Sequence, residues 1–156
     1  MPGTPIWPLE GQAIGTPVAG SLADKVAQLY NANYTEGRCY PSLAAGSTVV
    51  SGINWALSAA FAVLVPINTI LSPYHVSAIS IETCDKDGQF EIAIYQGVAN
   101  TLMATARFSS VTGFILNPFL LIPSLRLAAN TQLDMKAATS GGVAATLTVS
   151  IIYRFV

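Results

Sequence analysis

The sequence contains little charge. Lys, Arg, Asp and Glu together make up 10% of its 156 residues, whereas they make up about 25% of an average soluble domain. Seven basic and eight acidic residues give a formal net charge of -1, and the Lys and Arg residues form no cluster along the chain. A nucleic-acid partner requires a basic surface that neutralises phosphate groups. The composition therefore argues against nucleic-acid binding.

Histidine and cysteine are also scarce, with one histidine, His75, and two cysteines, Cys39 and Cys84. Zinc sites and disulfide frameworks need several such residues at close spacing, so we expect two free, buried thiols and no metal. A single bridge between Cys39 and Cys84 is the alternative that the sequence leaves open. His75 is expected to be a partly exposed structural residue at the start of a strand. The chain also lacks the motifs of serine nucleophiles, phosphate-binding loops and dinucleotide-binding folds. These absences predict no cofactor, no small-molecule substrate and no enzymatic activity.

The best candidate for a membrane span is the uncharged stretch INWALSAAFAVLVPINTIL, residues 53–71. As a helix it would cross a bilayer core of about 30 Å, but Asn54, Pro66 and Asn68 interrupt it and no Lys/Arg-rich flank follows it. The first residues, MPGTPIWPLEG, lack the basic start and apolar core of a signal peptide. We therefore expect no membrane span, and a protein that is made and used without secretion.

Residues 1–20 contain four prolines and four glycines, which disfavours regular structure and predicts an extended arm. Ile6, Trp7 and Leu9 of this arm would be left in water unless they dock into a pocket. We predict that these three residues bind a partner. Docking on the chain's own domain is the alternative that the sequence leaves open.

A short amphipathic helix is predicted after the arm. Ser21 can cap its N-terminus, and Leu22, Val26 and Leu29 fall on one face at helical spacing. Amphipathic aromatic residues are common in protein interfaces, so we predict that the tyrosines of this region also bind a partner, although a helix that covers the core would give a similar pattern. These are Tyr30, Tyr34 and Tyr40. The arm and the helix together form a predicted N-terminal region, residues 1–45.

From about residue 46 the hydrophobic period changes to two, which is typical of strands with one buried face. Phe90, Ile92 and Ile94 show this alternation, as do Leu147 and Val149. The pattern predicts eight strands, near residues 46–51, 55–65, 75–82, 89–96, 102–108, 114–121, 131–137 and 145–155.

The regular spacing of strands and turns, with no helical period between them, predicts an all-β domain over residues 46–156. An antiparallel β-sandwich is the expected architecture, and eight strands fit a jelly roll. A sandwich of another topology would give the same sequence pattern.

Charge is concentrated in one predicted turn, CDKDG, which contains Asp85, Lys86 and Asp87. We predict a hairpin turn in which these residues stay hydrated and Gly88 takes a positive φ. The turn is too short for a calcium-binding loop of the twelve-residue type. The strands carry Thr, Ser, Ala and aliphatic residues on both faces, and such faces suit contact with another protein subunit better than contact with water.

Five segments follow one another in a recognisable order. They are VPINTILSP, VSAISIETCDKDGQFEIAIYQG, MATARFS, IPSLRLAANTQLDMKAATSGG and ATLTVSIIYRFV. They comprise a turn entering a strand, two strands around an acidic-Gly turn, a short Arg-Phe strand, a Ser-Gly-Gly turn and a closing strand. In this order and spacing, the chain from about Val65 to Val156 resembles a family of tailed-bacteriophage structural proteins, small jelly-roll domains that decorate or cement the capsid.

The resemblance implies an auxiliary capsid protein that forms a homotrimer and sits on the outer surface of the virion, on a shell of major capsid protein. Such a protein would be made in the cytoplasm of the host. We expect the N-terminal arm and the aromatic segment after it to clamp a neighbouring subunit, with Trp7 as an anchor.

Three other functions are compatible with parts of the sequence. A phage tail or fibre component could carry a receptor-binding jelly roll, which would require aromatic or acidic loops around a concave site. A hydrolase on a β-sandwich would depend on His75, or on Asp85 together with Asp87. A cellular ligand of the TNF-like architecture would need secretion or a membrane anchor.

Overall fold

The computed structural model describes residues 37–42 and 45–156, and the regular structure of these residues is entirely β. The all-β prediction is thus confirmed for the described part of the chain, in which no helix occurs. The strands are β1 (Arg38–Tyr40), β2 (Ser47–Val50), β3 (Ala62–Val65), β4 (Tyr74–Cys84), β5 (Gly88–Gln96), β6 (Thr101–Val111), β7 (Phe114–Leu116), β8 (Phe119–Leu127), β9 (Leu133–Thr139) and β10 (Thr146–Phe155).

The strands form two antiparallel sheets of five strands each. Sheet A has the order β1-β10-β4-β8, and β2 also pairs with β10. Sheet B has the order β3-β9-β5-β6-β7. Strands that follow one another in the sequence therefore often lie in different sheets, and β4 and β5 are one such pair.

One buried apolar cluster contains residues of both sheets. Phe90, Ile92 and Ile94 of β5 are fully buried, and so are Leu147 and Ile151 of β10. Because side chains alternate between the two faces of a strand, these residues define the inner face of each sheet. The alternation read from the sequence therefore identifies the core-facing positions of β5 and β10.

The structure has ten strands in its described residues, two more than the sequence pattern predicted. The predicted strand at 114–121 is divided at Asn117 and Pro118, because Asn117 has a positive φ of 60° and proline cannot donate a ladder hydrogen bond. The chain changes from sheet B to sheet A at this point. The other additional strand, β1, lies inside the predicted N-terminal region and pairs Arg38 with Tyr153 of β10.

The predicted strand at residues 55–65 is shorter in the structure, where β3 covers only its last four residues. Of the predicted strand 55–65 only β3 pairs, because Asn54 and Trp55 both have left-handed backbone conformations (φ 52° and 63°) and the chain turns there. The stretch considered as a membrane span, residues 53–71, therefore consists of β3 and irregular segments. No helix in the part of the chain that the structure describes is long and apolar enough to cross a bilayer.

The acidic turn does not form a hairpin, contrary to the prediction. Its two strands, β4 and β5, pair with other strands in different sheets, and a short turn between strands does not by itself specify pairing. The charged residues of the turn are exposed, as expected, and Gly88 has a φ of 143°. Asp85 accepts a hydrogen bond from the Thr146 backbone N–H at 2.7 Å. Asp87 accepts one from the Gly113 N–H at 3.3 Å.

Candidate interaction surface

Most of the residues predicted to bind a partner lie outside the described residues. These are Ile6, Trp7, Leu9, Tyr30 and Tyr34, together with the predicted arm and helix. Tyr40 is described. It lies in β1 opposite Ile151 of β10 and packs, partly buried, against the core cluster. Tyr40 therefore contributes to its own domain, and its contact with a partner stays a prediction.

The segment from β7 to β8 exposes large apolar side chains on the last strands of both sheets. Phe114 is 76% exposed and Leu121 is 85% exposed, and Leu116 and Phe119 are more than half exposed. We call these four side chains the β7–β8 edge. No Asp, Glu, Lys or Arg occurs in the sequence between Arg107 and Arg126, so this edge has no charged residue of its own.

Strand geometry explains why these side chains are exposed. Leu120 and Ile122 point into the core and are almost fully buried, so the residues that alternate with them, Phe119 and Leu121, point away from it. β7 is the last strand of sheet B and β8 is the last strand of sheet A. Within the described ranges no strand pairs with the outer side of either one, which leaves two sheet edges available for further pairing.

Two cations on the outer face of sheet B contact partners within the chain. Arg107 of β6 donates from Nε to Glu91 Oε2 of β5 at 2.7 Å, and its guanidinium lies 4.8 Å from the centre of the Trp55 ring. The Lys136 ammonium lies 4.2 Å from the Phe61 ring centre. Each of the two aromatic residues therefore contacts a cation that belongs to sheet B.

The segment that carries these aromatic residues is fixed to the edge of β9. The Gly52 N–H donates to the Ala137 carbonyl at 2.9 Å, and the Trp55 N–H donates to the Thr139 carbonyl at 2.8 Å. Two small residues on the outer side of sheet B, Ala93 and Ala138, are fully buried. We therefore describe residues 52–61 as the cover of sheet B.

The two cysteines do not form a disulfide. Cys39 pairs with Ile152 and Cys84 with Leu147, on opposite sides of β10. Five residues of strand correspond to about 17 Å, whereas bridged cysteines have Cα atoms within about 7 Å. Both thiols are free and half-buried, and burial raises the pKa of each above its usual value. They are therefore protonated near neutral pH.

The residues considered for catalysis are not brought together. His75 lies at the start of β4 and Asp85 follows the end of the same strand, which separates them by about 30 Å. In the described ranges no three His, Cys, Asp or Glu side chains are grouped so that they could hold a metal ion. A hydrolase site that combines His75 with the acidic turn would thus need another arrangement of the chain.

Comparison with known proteins leaves the family open. No protein-family model matches the chain, and no curated protein matches it significantly. The likeness to bacteriophage decoration proteins therefore rests on the segments of the sequence named above.

Proposed function

We propose that this chain is a structural protein of a tailed-bacteriophage virion that decorates and cements the capsid. It would bind on the outer surface as a homotrimer and bridge neighbouring subunits of the major capsid protein. The observation that carries the proposal is the uncharged β7–β8 edge, whose four large apolar side chains are exposed in the single chain. Exposed apolar surface of this kind is typical of contact sites between proteins.

The strand order supports the jelly-roll sandwich that the proposal includes. If β1 and β7 are treated as additions, eight strands remain in two sheets of four, β2-β10-β4-β8 and β3-β9-β5-β6. Eight antiparallel strands in two sheets with crossing connections are the pattern of a jelly roll, an architecture found in viral capsid proteins.

Burial of the β7–β8 edge would provide a large part of the binding free energy. Complete burial of its four side chains would remove on the order of 500 Å² of apolar surface from water, a gross gain of about 12 kcal/mol. Loss of rigid-body freedom and ordering of side chains offset much of this gain. Several weak contacts per trimer on a repeating lattice still give strong overall attachment.

The proposed action is mechanical. A trimer that contacts more than one capsid subunit adds its own interface energy to the energy needed to separate those subunits. No chemical step is needed. The predicted arm would extend the contact, with Trp7 as its anchor.

The test is occupancy on purified shells that lack this protein. Leu121→Asp places a charge in the β7–β8 edge and is expected to lower occupancy by at least tenfold, because a buried unpaired carboxylate is costly. The matched control is Val98→Asp, since Val98 is 83% exposed but lies in the turn between β5 and β6. Trp7→Ala in the same assay tests the anchor. Normal occupancy with Leu121→Asp, or equal losses with both Asp variants, would contradict the proposal.

One observation favours a second candidate, a tail or fibre component that binds a host receptor. A cavity of about 340 Å³ on sheet B is lined in part by Trp55, Gln89, Arg107 and Asn117, and an aromatic concave site is what a receptor-binding module requires. Microscopy of intact virions with this protein labelled distinguishes the two candidates, because the label would lie on the head in one case and on the tail in the other.

A further inference from the structure

Three basic residues that are far apart in the sequence form one row across sheet A. Arg154 of β10 is opposite His75 of β4, and His75 is opposite Arg126 of β8. Neighbouring strands are about 4.8 Å apart, so the row is about 10 Å long. We call these three residues the basic row.

The basic row lies on the outer face of the sheet. On β4, Tyr74 and Val76 on either side of His75 are buried in the core. Tyr153 and Leu127, which neighbour the two arginines, are also buried. Because side chains alternate along a strand, all three members of the row point away from the core.

No carboxylate neutralises the row within the described part of the chain. The only ion pair there joins Arg107 and Glu91, on the other sheet. Arg126 and Arg154 are exposed without an ion-pair partner, and the Nδ1 atom of His75 is buried without a hydrogen-bond partner. Arg38 of β1 is not part of the row, because it lies opposite the buried Tyr153 and its guanidinium lies 4.5 Å from the centre of the Phe155 ring.

We infer that the basic row binds carboxylate groups of a protein partner. The planar guanidinium of arginine donates two parallel hydrogen bonds to a carboxylate, and two arginines on either side of an imidazole present such donors along about 10 Å.

The surroundings of the row favour a protein rather than a nucleic acid. Phe119 and Leu121 are exposed on the outer face of the same sheet, on the strand that carries Arg126. Arginine combined with exposed aromatic and aliphatic residues is typical of protein interfaces. A nucleic acid would require a wider basic surface, whereas this chain has a net charge of -1.

The identity of the partner rests on the proposed function, in which the carboxylates belong to the shell protein. Binding itself is measurable on the isolated protein. Because the chain contains one histidine, the imidazole proton signals in an NMR spectrum belong to His75. We expect titration with a hexaglutamate peptide to move these signals, and the effect to weaken as ionic strength rises.

Variants identify the residues involved. Arg126→Gln and Arg154→Gln are each expected to weaken hexaglutamate binding about fivefold to tenfold, since each loses a charge-assisted hydrogen-bond pair. Arg126→Lys, which keeps the charge but not the planar fork, should have a smaller effect. Arg107→Gln is the matched control: it removes the same charge from sheet B and should change binding less than twofold.

Three results would overturn the inference. They are an absence of signal change with hexaglutamate, an equal loss of binding with Arg107→Gln, and an equal signal change with inorganic phosphate at the same concentration, which would indicate a site for small oxyanions. The same variants on shells separate this inference from the proposed function. Hexaglutamate binding by a protein that does not bind shells would contradict only the capsid proposal.

Discussion

The outer faces of the two sheets differ in whether their cationic side chains contact a partner residue of the same chain. On sheet B, Arg107 is paired with Glu91 and contacts Trp55, while Lys136 contacts Phe61. The aromatic residues come from the cover, residues 52–61, which is hydrogen-bonded to β9. Each exposed cation of this face therefore has a partner from the same chain.

On sheet A the corresponding groups are left without partners among the described residues. Arg126 and Arg154 make no ion pair, and Phe119 and Leu121 are more than half exposed on the same side. Both faces are built from the same kinds of side chain, so composition does not distinguish them. The difference lies in whether the cations have partners within the described chain, and our proposals assign the unpaired cations of sheet A to a contact with another protein.

The cover of sheet B can be displaced by one methyl group. A Cβ added at Gly52 would lie 2.0 Å from the carbonyl oxygen of Ala56, a contact that forces the backbone of the turn to move. Gly52→Ala is expected to lower the free energy of unfolding by about 3 kcal/mol, measured by urea denaturation. If sheet B depends on its cover, this variant should also speed hydrogen exchange at the Thr139 N–H, which donates to the Gly52 carbonyl at 3.0 Å.

A matched glycine provides the control for that prediction. A Cβ at Gly142 would meet nothing within 4 Å, so Gly142→Ala should change the unfolding free energy by less than about 0.5 kcal/mol. If Gly52→Ala changed the unfolding free energy as little as Gly142→Ala, the cover would not be tightly held. The outer faces of the two sheets would then no longer differ in this respect.

Both sheets contribute to one core. The buried Tyr74 in this core makes the free energy of unfolding depend on pH in the alkaline range. Tyr74 is fully buried, its hydroxyl donates to the Thr131 carbonyl at 3.2 Å, and burial, with a smaller contribution from Tyr153, raises its pKa to about 12. In the unfolded chain a tyrosine has a pKa of about 10. The unfolded state therefore loses its proton first, and stability falls as pH rises from about 10 to about 12.

The expected loss is at most about 3 kcal/mol, which is the value of two pKa units. Urea denaturation at several pH values measures it, and Tyr74→Phe should remove the slope between pH 10 and pH 12. In a Trp7→Ala background, Trp55 fluorescence reports on sheet B, and the NMR signal of His75 reports on sheet A. Separate transitions of the two probes would show that the faces do not share one cooperative core.

The parts of the fold that depend on local alternation were predictable from the sequence. The inward positions of β5 and β10 follow from a period of two over nine and ten residues, and burial on one side of a strand produces that period. Exposure of Asp85 and Asp87 was predictable because charge is costly to bury.

The pairing of strands was not predictable in the same way. β4 and β5 were expected to form a hairpin, yet they lie in different sheets, because the choice of partner depends on contacts distant in sequence. The same limit hid the basic row: His75 is brought beside Arg126 and Arg154 only by the register of β4 with β8 and β10. Arginines that are scattered along the chain form a cluster only once this register is known.

The smallest expected effect tests the comparison most directly, because it contrasts one arginine on each face. Arg107→Gln removes an ion pair and a contact with Trp55. We expect it to lower the free energy of unfolding by about 0.5–1 kcal/mol, since the Arg107 side chain is 70% exposed and surface pairs are weak.

Arg154→Gln removes a cation beside His75 that has no ion-pair partner in the described chain. It should leave stability unchanged, because this exposed side chain makes no ion pair within the described chain. Urea denaturation of both variants at low and high salt measures the difference, which should decrease as salt screens the charges. A loss of stability in Arg154→Gln as large as in Arg107→Gln would mean that Arg154 already has a stabilising partner, and sheet A would then be as complete as sheet B.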